Sequence, residues 1–585
     1  MTGLVIVLVA LLAQRGAAPP TTEATPMPAS VSGIVVKLSS GDAAAGARVQ
    51  LFPESPAIAP PGSAKAVATA ADNGQFSFDH LTPGTYWIAA SLQGHLPAEY
   101  GQRSPTGTGI PLTLAPGQKV SNIRIGLTPT GSMTGRIVDE DGEPVPRVQV
   151  QALRSVYRNG QRVQTITQSV LSDDRGAYRL FWLPPGEYRI SALPVAASDQ
   201  ASATYITQPR RFSTYEQGVR RQTQARTLES GEVLEETYVP VYYPGTTDEA
   251  MALPVEVGAG ASVTGIDLAV TANRARTYHI RGVTLGISSQ PSASVDVRAV
   301  PRVATGPSVA ILSALSGADG AFDIQGVLPG SYYVVEQAGG IVPIEVVNAD
   351  VDNVVVATST GFTIPVKITF DDNGSAKMAP TLLLQLQRDP DVLGMMNGDM
   401  MFGGTLGQGQ MALNAVTPGD YRLSVPPFLN LSGTNVVPRP RPPDLEHAYV
   451  KSMRLASLDV LADGLHLWSQ PQGALEIVIS ANGATISGRV VDDRRQPAAN
   501  VTVTVIPDAA SRKRLDLYRS ASTDVSGRFK ITDVPAGDFS VLAWDDIEAG
   551  AWMNPEFLRP YENRGQFVRL NEGATENVEL TLVTR

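Results

Sequence analysis

Asp173-Asp174-Arg175-Gly176-Ala177-Tyr178-Arg179-Leu180-Phe181-Trp182-Leu183-Pro184-Pro185-Gly186-Glu187-Tyr188-Arg189-Ile190 is the stretch whose reading decides the fold. An acidic turn opens it and large apolar residues then alternate at period two. A Pro-Gly turn follows, and a second alternating run leads away from it. The same phrase returns around Gly84, Gly330, Gly419 and Gly537. A chain that repeats one hairpin five times reads as an array of similar β domains.

Composition agrees. Hydrophobic residues make up 43% and charged ones 17% of 585 residues, a globular composition long enough for about four to six domains. Pro (44) and Gly (54) are plentiful, Val, Thr and Ile dominate the apolar runs, and no segment holds a sustained helical stripe. The net charge of −10 argues against nucleic acid as a partner, because neutralising phosphates needs dense Lys and Arg. The absence of cysteine removes disulfides, thiolate metal sites and cysteine nucleophiles.

Taken in order, Leu4 to Ala13 is an apolar core too short for a bilayer, which needs about 20 residues. A small, Pro-rich stretch follows it, and the pair reads as a secretion signal and leader over residues 1–28. No later apolar run is long enough for a transmembrane anchor. Five β-sandwich repeats are expected over residues 29–129, 130–272, 273–358, 359–480 and 481–585. The second carries a polar, Arg-bearing insertion from about Ala196 to Glu236, expected as a solvated loop. The fourth is degenerate, with a Met-rich insertion (Leu393 to Gln410) and a Pro-rich one (Pro438 to Pro443). At Pro83-Gly84 the Gly is expected at the left-handed position of a type II turn. Short joints such as Pro129-Thr130-Gly131 and Ala481-Asn482-Gly483 restrict hinging. A rod or curved stack on the order of 150 Å long is expected, from about 13 Å as the radius of gyration of each unit.

The pattern is Ser/Thr-Gly-x-Val, then x-Val-x-Val, then Asp-x-x-Gly-x-Phe-x-Phe-x-x-Leu-x-Pro-Gly-x-Tyr. It is clearest at Ser32-Gly33, Thr134-Gly135 and Ser487-Gly488 with their following hairpins. This resembles the carboxypeptidase regulatory-like domain and is similar to the transthyretin-like, B-type adhesin and starch-binding-like sandwiches. The resemblance implies an all-β tandem array of about five Ig-like or transthyretin-like sandwiches. It implies no peptidase chemistry. The five histidines (His80, His95, His279, His447, His466) are scattered, without zinc-protease spacing, a nucleophile elbow or a phosphate loop. B-type adhesin domains often cross-link a Lys to an Asn, for which Lys37 with Asn122 is the candidate pair here.

Carbohydrate recognition needs aromatic platforms beside polar groups. Trp87 follows the inward Tyr86 and is expected on the opposite face. Trp544 and Trp552, flanked by Asp545, Asp546 and Glu548, are expected on the surface, while Trp182 shares a face with Leu180 and reads as core. Arg220 and Arg221, in the insertion, are candidates for docking an acidic partner. The Asp-rich turns (Asp139 to Gly142, Asp371 to Gly374) lack the EF-hand spacing and read as hairpin turns. The methionines Met395, Met396, Met400 and Met401 read as a mobile loop or apolar contact patch. The expectation is a secreted, non-enzymatic protein without cofactors. It presents sandwich faces and loops to a protein or polysaccharide at the cell surface, for adhesion, scaffolding or binding. A carbohydrate-binding protein using exposed Trp faces is the alternative.

Overall fold

The computed structural model describes residues 27–53, 63–105, 107–194, 223–231, 233–270, 274–302, 311–336, 340–371, 381–389, 399–405, 411–425, 429–432, 435–438 and 447–584. The leader, Arg210 to Arg221, Met395 and Met396 lie outside these. Strands dominate, and the sheets pack into a tandem array of β-sandwiches. Five large cores run along the chain, centred on Val49 and Tyr86, on Val150 and Tyr188, on Val297 and Tyr332, on Leu384 and Tyr421, and on Val503 and Phe539. No helix of the described residues is long and apolar enough to cross a membrane.

One topology recurs. In every unit the first strand pairs antiparallel with the strand before the Pro-Gly turn, and parallel with the unit's last strands. Parallel entry and exit strands take the chain in at one pole of the unit and release it at the other, so consecutive units follow head to tail. The first strand also lies unusually close to the last. A Cβ built on Gly33, Gly135, Gly282 or Gly488 would stand 1.8–2.1 Å from a carbonyl oxygen of that neighbour. Only glycine fits there, which is the reason for the Ser/Thr-Gly signature. The fourth unit has Val366 at this register instead.

The corner between the two sheets is equally uniform. Gly84, Gly186, Gly330, Gly419 and Gly537 have φ of 150–159°. This is not the left-handed position of a type II turn expected at Gly84 but a more extended region essentially restricted to glycine. Two residues on, an aromatic ring enters the core. In four units its hydroxyl donates to the carbonyl four residues back: Tyr86 to Thr82, Tyr188 to Pro184, Tyr332 to Leu328 and Tyr421 to Thr417, at 2.5–2.9 Å. The fifth unit has Phe539, fully apolar, in that place. Lys65 lies over the Tyr86 ring at 5.3 Å and Arg388 over that of Tyr421 at 4.9 Å.

Just before each corner the strand carries a bulge. His80, Trp182, Gly326, Ala415 and Asp533 have φ of 54–75°. Two residues there face one on the partner strand, as with Phe181 and Trp182 opposite Ser132 between the pairs Leu180–Met133 and Leu183–Gly131. The extra residue resets the alternation. Leu180 and Leu183 are both buried, and Trp182, expected in the core, is 53% exposed.

The acidic turns are backbone devices. Asp139, Asp173, Asp492 and Asp524 each accept two backbone N–H groups, two and four residues on, through one carboxylate oxygen. Two insertions are more ordered than expected. Gln224–Thr227 and Val233–Tyr238 form a hairpin that takes the joint strand Arg274–Arg276 as its third member. Met400 and Met401 lie in the strand Asp399–Thr405, paired with Leu386 and Gln385. Their backbones are held by a ladder, not a loop.

Two tests follow from this frame. Tyr188 is 1% exposed, so Tyr188→Ala is expected to cost its unit about 3–5 kcal/mol and Tyr188→Phe about 1 kcal/mol, read by calorimetry of the full chain. Burial pushes the Tyr188 phenol up to about 12, against the opposing pull of Arg154. A phenol whose folded pKa is raised stabilises the fold below its unfolded value and loses that contribution as pH climbs toward 12. Tyr188→Phe should therefore reduce the alkaline loss of stability above the ordinary phenol range. The Lys37–Asn122 cross-link conflicts with the register. Lys37 pairs with Leu127, whereas Asn122 lies beside Ser32, five residues and about 16 Å away. Intact-mass measurement should accordingly show no loss of one ammonia.

Candidate functional site: a tryptophan face covered from within the chain

In the fifth unit, strand Thr502–Pro507 pairs with Gly537–Trp544. Alternation sends Val503, Val505, Phe539, Val541 and Ala543 into the main core and leaves Ile506, Leu542 and Trp544 on the outer face. These outer residues gather Tyr518, Leu558 and Val583 into a second small core, with Trp552, Met553, Phe557 and Tyr561 packed against it. The cover is the segment after Trp544, folded as three short helical pieces: Ala551–Met553, Pro555–Leu558 and Arg559–Arg564. Its geometry is legible locally. Asn554 caps the middle piece, accepting from Phe557 N–H at 2.8 Å, and Pro555 occupies the first turn, where no donor is needed.

Trp544 is thus 2% exposed, the largest fully buried side chain in the protein, and its Nε1 donates to Thr504 Oγ1 at 2.8 Å. Tyr561 meets it edge-on with ring centroids 5.0 Å apart, and Phe557 lies at 5.9 Å. The expected surface display is overturned. The flanking acids reflect only the exposed loop: Asp545 leaves the face and pairs with Arg103 of the first unit. Trp552 is half-buried against the same cluster. Trp87 faces away from Tyr86, as alternation requires, and is half-buried opposite Phe52. Arg220 and Arg221 lie outside the described residues. Of the described positions, Trp544 and Trp552 share the covered cluster, and Trp87 lies in the first unit.

A different tryptophan is displayed. Trp468 is 44% exposed, and its Nε1 donates to Asp420 Oδ1 at 3.0 Å, where His466 Nδ1 also meets that oxygen at 2.8 Å. Asp420 belongs to the Pro-Gly-x-Tyr corner of the fourth unit, and His466 pairs with it across the strands. The signal available in sequence was the alternation Leu465-His466-Leu467-Trp468, which puts His466 and Trp468 on one face.

Other charged clusters sit where units meet. His279 Nδ1 lies 2.7 Å from Asp323, and its Nε2 lies 3.4 Å from Glu235 of the second unit's hairpin. Lys451 Nζ bridges Asp371 at 2.8 Å and Glu572 of the fifth unit at 2.5 Å. Hydrogen bonds to those two carboxylates hold the Lys451 ammonium well above the usual lysine range. The chain also curls back on itself. Besides pairing with Asp545, Arg103 donates to Ala499 O at 3.0 Å, and Asn500 donates to the carbonyls of Gly101 and Thr108. The fifth unit therefore touches the first, and an open rod is not the arrangement found.

Because Trp544 is structural, Trp544→Ala is expected to destabilise the fifth unit by about 3–5 kcal/mol. Trp468→Ala should change stability by less than about 0.5 kcal/mol. Calorimetry of the two variants checks the assignment.

Residues 30–128, 132–214 and 485–552 match the family model of the carboxypeptidase regulatory-like domain. A curated relative, the TonB-dependent transporter Oar of Myxococcus xanthus, is 33% identical over 101 residues, which is 17% of this chain and 8% of that protein. The chain thus spans less than a tenth of that relative's length. Among solved structures, the minor pilin GBS52 of Streptococcus agalactiae is similar at 13% identity, over 42% of this chain and 98% of that one, with a TM-score of 0.20. The major pilin subunit BcpA of Bacillus cereus is similar at 11% identity, over 57% and 99%, with a TM-score of 0.13. Scores this low mean that the chains do not superpose as wholes. Three stretches of this tandem β-sandwich array, in its first, second and fifth units, thus match one and the same family model, that of the carboxypeptidase regulatory-like domain.

Proposed function

We propose that this chain is a non-enzymatic protein, exported to the cell envelope, that acts by holding protein or polysaccharide surfaces in place, in adhesion or scaffolding. One observation supports the reading above others. The charged clusters at His279, Lys451 and Arg103 are closed on partners from the chain's own neighbouring units. A reacting group must stay open to substrate, whereas these groups are already engaged by the chain's own residues. The recurring motif residues, in turn, are consumed by the corner, the bulge and the close strand approach. Beads coated with the full chain should be retained on the envelope fraction of the cells that make it, saturably and with competition by free chain. Retention no better than that of albumin-coated beads, or recovery of the native protein in the cytoplasm, overturns the reading.

A carbohydrate ligand is favoured by one feature, the pinned Trp468 ring with Asp420 and His466 beside it. An indole fixed in orientation offers a face to sugar C–H groups, and the adjacent carboxylate and imidazole offer polar partners. On a glycan array, binding by the full chain that is lost in Trp468→Ala, with folding intact, supports this second reading. A blank array removes it.

A further inference from the structure

The second unit carries an arm that its own sheet does not support. Strand Val148–Arg158 pairs with Gln161–Leu171 along its whole length, but only Val148 to Leu153 also pair with the strand Gly186–Pro194. From Arg154 to Thr165 the hairpin is a two-stranded ribbon, a structure that is marginal in water without further packing. Its tip is a tight turn with Asn159 at φ 49° and Gly160 at φ 74°. The tip reaches the helical cover of the fifth unit. Asn554 Nδ2 donates to Gly160 O at 2.8 Å, and Tyr157 meets Phe557 edge-on at 6.0 Å. A Cβ on Gly160 would lie 2.7 Å from Met553 O, so the tip fits closely against that surface.

Asn554 serves two partners at once. Its oxygen caps the cover's helical piece while its nitrogen holds the arm. The remaining latch between the fifth unit and the first contains the ion pair of Arg103 with Asp545, whose side chains are 40% and 42% exposed. A pair that exposed is weak and is screened by salt. Among the described residues, each apolar core stays within one unit and none spans either contact.

We propose that this closure is reversible and that, when it opens, the cover of the fifth unit takes the arm of a second copy of this chain. Arm and cover already complement each other within one chain, so exchange with a second copy remakes the same contacts between chains. The high effective concentration of the tethered arm keeps dilute protein closed, and crowding of copies favours exchange. Arm-on-cover contact is heterologous, so it propagates from copy to copy unless the rotation closes it into a ring. The inference rests on this geometry and stands independently of the envelope reading.

The test uses two variants of the full chain. Asn554→Asp keeps the capping oxygen but removes the donor to Gly160 O, leaving a good arm and a defective cover. Tyr157→Ala leaves a good cover and a defective arm. Each alone should be monomeric by light scattering, with a radius of gyration larger than that of the closed wild type. Mixed in equal amounts, they should form a complex of about twice the mass of either alone, from one intact arm on one intact cover. Tyr157→Phe, which keeps the ring edge, should behave as wild type. Buried-tryptophan fluorescence like that of the wild type shows that the fifth unit is folded in each variant. Folded variants whose mixture stays monomeric, or whose radius of gyration equals that of the wild type, overturn the proposal.

Discussion

A phenol buried against the carbonyl four residues behind it, on the far side of a glycine that no other residue can replace, fixes the corner of four of the five sandwiches. The glycine's φ near 155° turns the chain from one sheet to the other. The ring then fills the core, and its hydroxyl satisfies a carbonyl that the turn has left without a strand partner. Phe539 shows which part of the device is indispensable. The fifth unit dispenses with the hydroxyl and keeps the glycine and the ring.

That corner works together with the bulge before it. Two residues against one displace one side chain from the alternation, so the residues on both sides of the bulge point inward. The displaced position is held by His80, Trp182, Gly326, Ala415 and Asp533 in turn. The fold thus requires a left-handed residue there but no particular side chain, leaving a variable, largely outward position on a constant frame.

The parallel pairing of first and last strands strings units head to tail, and the joints are hydrogen-bonded. Gly483 N–H donates to His447 O and Gly573 N–H to Asn482 O between the fourth and fifth units. Ordered joints give a defined path, and the path found returns the fifth unit to the first and second. The aromatic face that looked like a ligand platform is covered by the chain's own helical pieces and met by its own arm. Docking within the array has taken the place that the sequence suggested for sugar.

The sequence by itself determined the all-β class, the fivefold hairpin, the unit order and the backbone role of the acidic turns, because these depend on period-two alternation and on local turn chemistry. The inward placement of Tyr86 and the opposite face of Trp87 were legible for the same reason. Tertiary structure alone decided the rest. The φ of Gly186 depends on the ring of Tyr188 being anchored, and the exposure of Trp182 depends on a register shift against Met133 and Gly131. The burial of Trp544 depends on a cover eleven residues further on, around Pro555. Alternation assigns a side chain to one of two faces. It carries no information about what later packs on the outer face, and that packing decided which tryptophan is core and which is displayed.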